Sequence, residues 1–208
     1  MIKVLRRAVD RRRHANGDYA WLFHPYTGDE MVVINTETIG SHRRNAELAS
    51  IAAVKVRGDR VLTSESLDLR LVRPASLSGE SFRIHGSHGV DLNGGLAPED
   101  ALERLLDFVG NRPLLGWRLG IDLAILNREL RPRFGFDLPN ATIDVAQSYL
   151  RRLRRRHPEV ETAPRFEKVA ELLDVPLMGR HTALGDAVTT ALIYLRLEHQ
   201  AGALGRYS

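Results

Sequence analysis

The sequence of 208 residues contains no cysteine, which excludes disulfides and any zinc site built on thiolates. It also lacks an apolar run long enough to span a bilayer, and nothing in it resembles a secretory leader. A cytoplasmic protein with no membrane partner is therefore expected. Aromatic residues make up only 6% of the chain, so the group Tyr19, Trp21, Phe23 and Tyr26 stands out as an apolar anchor. What is present is a 43% hydrophobic content, enough for one sizeable core.

The net charge of +4 is modest, but arginine is gathered in two places and favours an anionic partner. One is the amino-terminal arm, residues 1–30, where Lys3, Arg6, Arg7, Arg11, Arg12 and Arg13 alternate with Ile2, Val4, Leu5 and Val9. This segment reads as a solvated, partly frayed arm, ahead of a basic helix laid on the core or an arm touching phosphates. The aromatic group pins it to the domain that follows, residues 31–200. The other is Arg151, Arg152, Arg154, Arg155 and Arg156, which reads as a solvated helix face unless a catalytic groove lies beside it.

Periodicity places the elements. Val32-Val33-Ile34 is a buried strand, residues 48–56 are a second, and Leu67, Leu69 and Leu71 alternate with polar residues on a third. Residues 74–98 read as a long loop, in which His85 and His88 are surface histidines. A helix then starts at Pro98 and buries Leu102, Leu105, Leu106 and Val109. A short strand ends at Gly116, a helix carries Leu123, Leu126 and Leu130, a strand covers 141–143, and a helix follows through Val145, Ala146 and Leu150. The last helix buries Leu184, Val188, Ala191 and Leu195.

Chemistry-bearing residues fall at the ends of these elements. Period-2 alternation sends Asn35 and Glu37 to one face at the carboxyl end of the first strand, where oxygen ligands suit a hard cation such as Mg²⁺. The plain alternative is a strand that runs out into a polar turn. Asp122 lies in a first helical turn, a position that also suits an acid facing free amides. His181 precedes the last helix and Asp186 lies one turn inside it. A histidine beside carboxylates is a natural general base near neutral pH.

Taken together and in order, these residues resemble the DEDDh 3'-5' exonucleases, the superfamily that includes the epsilon proofreading subunit of bacterial replicative DNA polymerase and ribonuclease T. The first motif of that superfamily appears as Asn35-Thr36-Glu37-Thr38-Ile39-Gly40, the second as Gly116-Trp117-Arg118-Leu119-Gly120-Ile121-Asp122, and the third as His181 with Asp186. The resemblance covers roughly residues 19–198.

It implies an α/β, ribonuclease H-like fold: a five-stranded mixed sheet, three antiparallel strands followed by two parallel ones, flanked by helices. It also implies removal of nucleotides from a single-stranded DNA or RNA 3' end, with two Mg²⁺ or Mn²⁺ ions clamping the reacting oxygens. Asn35, Glu37, Asp122 and Asp186 fall at the metal-ligand positions and His181 at that of the base. Thr38, Ile39, Trp117 and Arg118 fall beside the terminal nucleotide. A homodimer, or a polymerase or repair partner, is a further implication. Two departures qualify the reading. Asn35 offers one neutral oxygen where a carboxylate should bridge both ions, so the second ion is weakened and reduced activity is expected. Trp117 and Arg118 replace a His-Asn pair. The alternative is a catalytically degenerate nucleic-acid-binding module, or a subunit of a repair or replication assembly.

Overall fold

The computed structural model describes residues 2–40, 46–72 and 95–204, with side chains described from residue 5 to residue 199. His85, His88 and most of the loop assigned to residues 74–98 lie outside the described residues.

The chain forms α1 (Ile2–Arg13), a short 3-10 turn (Ala20–Phe23), β1 (Glu30–Ile39), β2 (Glu47–Arg57), β3 (Arg60–Arg70) and α2 (Pro98–Val109). It continues with β4 (Leu114–Gly116), α3 (Gly120–Phe134), β5 (Thr142–Asp144), α4 (Val145–Leu153), α5 (Phe166–Leu172) and α6 (Ala183–Leu204). The five strands make one sheet in the order β3-β2-β1-β4-β5. Its β1–β2 and β2–β3 pairs are antiparallel, and its β1–β4 and β4–β5 pairs are parallel. This is the expected mixed sheet. The tight turn Gly58-Asp59 joins β2 to its antiparallel neighbour β3, whereas the parallel pairs need helical crossovers.

Alternation along β1 divides the core. Val32 and Ile34 face one layer with α2 and α3, and Val33 faces the other with α5 and α6. In α2 the stripe Leu102, Leu105, Leu106 and Val109 is wholly buried, and each such side chain contributes about 1.5–3 kcal/mol by leaving water. At the head of β1, Glu30 is buried and accepts hydrogen bonds from Arg57 and from Arg112 Nε at 2.7 Å. The two guanidiniums hold its carboxyl below the usual range. Among the described residues no helix is long and apolar enough to cross a membrane.

The amino-terminal arm differs from the frayed segment expected. It is helical, and two long-range ion pairs hold it: Asp10, 3% exposed, accepts from Arg131 Nη2 at 2.7 Å, and Arg6 Nη1 reaches Asp137 Oδ2 at 3.4 Å, an acid that Arg131 Nε also bonds at 2.7 Å. His14 stacks on Phe23 and meets Phe136 edge-on, while Tyr19 meets Phe134. Asp10 sits among arginines in sequence, and its partner lies 121 residues away; local pattern does not reveal such a pair.

Candidate active site

The carboxyl end of β1 is where two helices, α3 and α6, send polar groups. Gly116 ends β4 alongside it. A Cβ at this position would meet the Ile34 carbonyl oxygen at 3.1 Å and Leu119 Cδ1 at 2.8 Å, so glycine leaves room for the close passage of the chain toward α3. The turn places Asp122, 5% exposed, in the first turn of α3 and against β1. Asp122 Oδ1 accepts from the Thr36 backbone N–H at 2.9 Å and the Thr36 hydroxyl at 2.8 Å. Burial nevertheless dominates and pushes its carboxyl up to about 6, with the Thr36 hydrogen bonds opposing and the nearby Glu37 charge assisting.

Glu37 lies on the other face of β1 from Thr36, at a register shift in the β1–β2 pairing between Glu37 and Thr38. Such an irregularity re-aims side chains at a strand's end. Burial raises the Glu37 carboxyl, and the charge of Asp186 raises it further; Arg180, His181 and a hydrogen bond from Asn35 pull the other way. Asn35 is thus beside Glu37, as the alternation requires.

Asp186 arrives from the first turn of α6, which Thr182 caps. The Thr182 hydroxyl accepts from Gly185 N–H at 3.1 Å and donates to the Gly179 carbonyl at 2.6 Å. A Cβ at Gly185 would fall 2.0 Å from the Met178 carbonyl oxygen, so the 178–179 loop packs directly on the helix backbone. That packing fixes the turn carrying His181, which is exposed and adopts φ +65. Its backbone N–H lies toward Asp186 and opposes the rise of that carboxyl. Asp186 is 9% exposed. Its Oδ2 accepts from Arg180 Nη1, while its Oδ1 is buried with no hydrogen-bond partner. Burial raises the Asp186 carboxyl, and Arg180 opposes that rise.

Glu37, Asp122 and Asp186 are therefore electrostatically joined at one strand end, with Asn35 beside them and His181 at the rim. Of the other residues singled out, Thr38 and Ile39 close β1 and are partly exposed. Trp117 packs edge-on against Phe166 of α5 at 5.3 Å between ring centroids, and Arg118 is exposed at φ +54. Sequence reasoning missed Thr36, the donor to Asp122, and also Arg180 and Glu167. Arg180 Nε bonds Glu167 Oε1 at 2.8 Å, and its guanidinium lies 5.0 Å from the centre of the Phe166 ring. Phe166, Val169, Ala170 and Leu173, at helical spacing after Pro164, were a sequence signal for α5.

Among the described residues no three His, Asp or Glu side chains form a closed metal cage. Mg²⁺, however, is commonly held by one or two carboxylates, completed by water and substrate phosphate. The partnerless Asp186 Oδ1 and the adjacent Glu37, both raised by burial and mutual charge, fit one such ion. They do not supply an anionic bridge for a pair of ions, because the residue beside Glu37 on this face, Asn35, is a neutral amide.

A family model described as an exonuclease matches residues 32–194. DNA polymerase III subunit epsilon of Aquifex aeolicus is 26% identical over 80% of this chain and 79% of its own length. A PolC-type DNA polymerase III of Clostridium perfringens is 26% identical over 79% of this chain, which spans only 11% of that relative's length. Among solved structures, cell-death related nuclease 4 superposes with a TM-score of 0.70 at 15% identity, covering 83% of this chain and 64% of that one. E. coli exonuclease I in complex with a dT13 oligonucleotide superposes with a TM-score of 0.67 at 16% identity, covering 86% of this chain and 43% of that one. The structural likenesses concern the fold, which is that of ribonuclease H-like exonucleases.

Proposed function

Since the chain belongs to the exonuclease family, we propose that it is a divalent-metal-dependent 3'-5' exonuclease acting on single-stranded nucleic-acid ends, with turnover slowed by Asn35. The observation that carries this reading is the coupling of Glu37, Asp122 and Asp186 at the carboxyl end of β1, with His181 on the turn before Asp186. Glu37 and Asp186 would hold Mg²⁺ or Mn²⁺, with Asp122 completing the anionic wall. The ion, when bound, supplies charge neutralisation at the phosphodiester and favours attack by water.

The chain's own residues do the rest. His181, exposed and free to approach solvent on the substrate side, takes the proton from the attacking water at an imidazole nitrogen. Thr36 keeps Asp122 facing the cleft. Thr38 and Ile39 contact the terminal nucleotide from the end of β1, with Trp117 and Arg118 forming the opposite wall. Single-stranded DNA is the favoured substrate class, since the related fold of E. coli exonuclease I was solved with such an oligonucleotide.

A second reading has its own support. Asn35 and the Arg180 guanidinium on Asp186 both weaken the demand for metal, which suits a module that binds 3' ends without cleaving them efficiently. As such it would serve a polymerase or repair assembly, in keeping with the names of the epsilon and PolC-type relatives.

Digestion of 3'-labelled and 5'-labelled oligonucleotides with Mn²⁺, with Mg²⁺ and with EDTA separates the readings. The exonuclease reading predicts that a 3' label is released at once as a mononucleotide. The same enzyme shortens a 5'-labelled strand stepwise, and only with metal. Retention of the strand without shortening, at protein concentrations that bind it fully, gives the lead to the binding module.

A further inference from the structure

Arg180 is the feature of this cleft that the exonuclease reading leaves without a role. It is the residue before His181, yet its side chain turns inward. Its Nη1 donates to Asp186 Oδ2, its Nε donates to Glu167 Oε1 at 2.8 Å, and its plane lies over the Phe166 ring. The side chain is 28% exposed, and its partner oxygen belongs to a carboxylate that is 12% exposed. Contacts from α5 and α6 fix it on three sides, so it is held in place rather than sampling solvent.

The two oxygens of Asp186 are consequently unlike. Oδ2 is committed to Arg180, whereas Oδ1 is buried with no partner. A buried, unpaired carboxylate oxygen is costly, and a cation beside it removes the cost. Charge gives the number of such cations. Three carboxylates, Glu37, Asp122 and Asp186, set against one guanidinium leave two negative charges, which a single divalent ion balances. Glu167 anchors the guanidinium from outside, where its side chain is 45% exposed and solvent screens it. A carboxylate in place of Asn35 and a neutral residue in place of Arg180 would together call for two divalent ions.

We propose that Arg180 is the built-in second cation of this site: it occupies Asp186 Oδ2 in place of a metal ion, so the cleft takes one divalent ion, on the Asp186 Oδ1 and Glu37 side. The proposal rests on the exonuclease reading of the cleft and deepens it. Asn35 and Arg180 then act in the same direction, each removing support for a second divalent ion. Arg180 acts as a positioning residue. It orients Asp186 and competes with metal for its outer oxygen.

The test is a Mn²⁺ titration of the full chain, with free ion followed by electron paramagnetic resonance and no nucleic acid present. The wild type is expected to bind one ion. Arg180→Gln is expected to bind Mn²⁺ about tenfold or more tightly, or to take up a second ion, because removing a positive charge within a few ångströms of a divalent site relieves strong repulsion. Arg180→Lys, which keeps the charge, is expected to resemble the wild type, and Asn35→Asp combined with Arg180→Gln to bind two ions. Arg180→Gln binding Mn²⁺ no more tightly and in no greater number than the wild type would overturn the proposal. If thermal melting shows that Arg180→Gln is unfolded, Glu167→Gln replaces it: the guanidinium, freed from its outer anchor, rests wholly on Asp186, and Mn²⁺ affinity is expected to fall severalfold. Unchanged or higher affinity there contradicts the proposal. The ion count does not depend on cleavage. A chain that binds one ion and digests nothing refutes the exonuclease reading alone, and one that digests 3' ends while Arg180→Gln leaves Mn²⁺ binding unchanged refutes the role of Arg180 alone.

Discussion

Asp122 and Thr36, 86 positions apart in sequence, are joined twice: the Thr36 backbone N–H and hydroxyl both donate to Asp122 Oδ1, at 2.9 and 2.8 Å. The pair fastens the first turn of α3 to the end of β1 and holds a buried carboxylate in the cleft. Thr36→Val removes the hydroxyl and keeps the shape. It is expected to cost about 1.5–3 kcal/mol in urea unfolding at pH 7, the range for a hydrogen bond to a charged group. The Asp122 carboxyl should move further above 6. Unchanged stability would mean that water replaces the hydroxyl without loss.

Stability of the metal-free protein should depend on pH with a definite sign. Burial raises Asp122 to about 6 in the folded state, from an ordinary value of 3.8, so the native state holds its proton more tightly than the unfolded chain. This contribution is present in full below about pH 4 and is lost as pH rises through about 6, which for Asp122 is on the order of 2–3 kcal/mol. Glu37 and Asp186 are raised as well and act in the same direction. Urea unfolding in EDTA should show stability declining between pH 4 and 7, and Asp122→Asn should flatten the decline. A profile that climbs across this range contradicts the assigned burial of charge.

The arginine-rich segment at the end of α4 divides into two groups in the structure. Arg152 donates to Glu198 at 2.9 Å and to the Leu197 carbonyl, and Arg154 donates to the carbonyls of Val160 and Glu161 at 2.7 and 2.6 Å. Both brace the fold. Arg155 and Arg156 are exposed. Neutralising Arg155 and Arg156 together should therefore reduce the salt slope of single-strand binding by roughly one unit, at little cost in stability. Neutralising Arg154 should lower the melting temperature instead. An unchanged slope in the Arg155 and Arg156 variant makes the whole segment a solvated face.

The order of these residues along the chain made much of the fold and site legible. Val32 to Ile34 announced a buried strand, and the run from Asn35 to Gly40, with Asp122, His181 and Asp186 at their distances, resembled one superfamily. Local patterns are recorded in local sequence, whereas pairings are not. The Thr36–Asp122 and Asp10–Arg131 bonds span 86 and 121 positions, and nothing near Thr36 or Asp10 marks them for such partners. Arg180 was illegible for another reason. Before a histidine on a loop, an arginine is expected to face solvent, and only the placement of Glu167 and Phe166 on α5 turns it inward.

Asn35 carries the central claim, because the site is read as a nuclease centre that lacks one carboxylate. The most direct measurement is the single-turnover rate of 3'-label release in Mn²⁺ for the wild type, for Asn35→Asp, and for Asn35→Asp with His181→Ala. The account predicts slow, metal-dependent release by the wild type and a clear gain with Asn35→Asp. It predicts a loss of about 10² to 10⁴-fold when His181 is then removed. A wild type and an Asn35→Asp variant that are equally inactive, although both bind the strand, would contradict the account and leave a binding module.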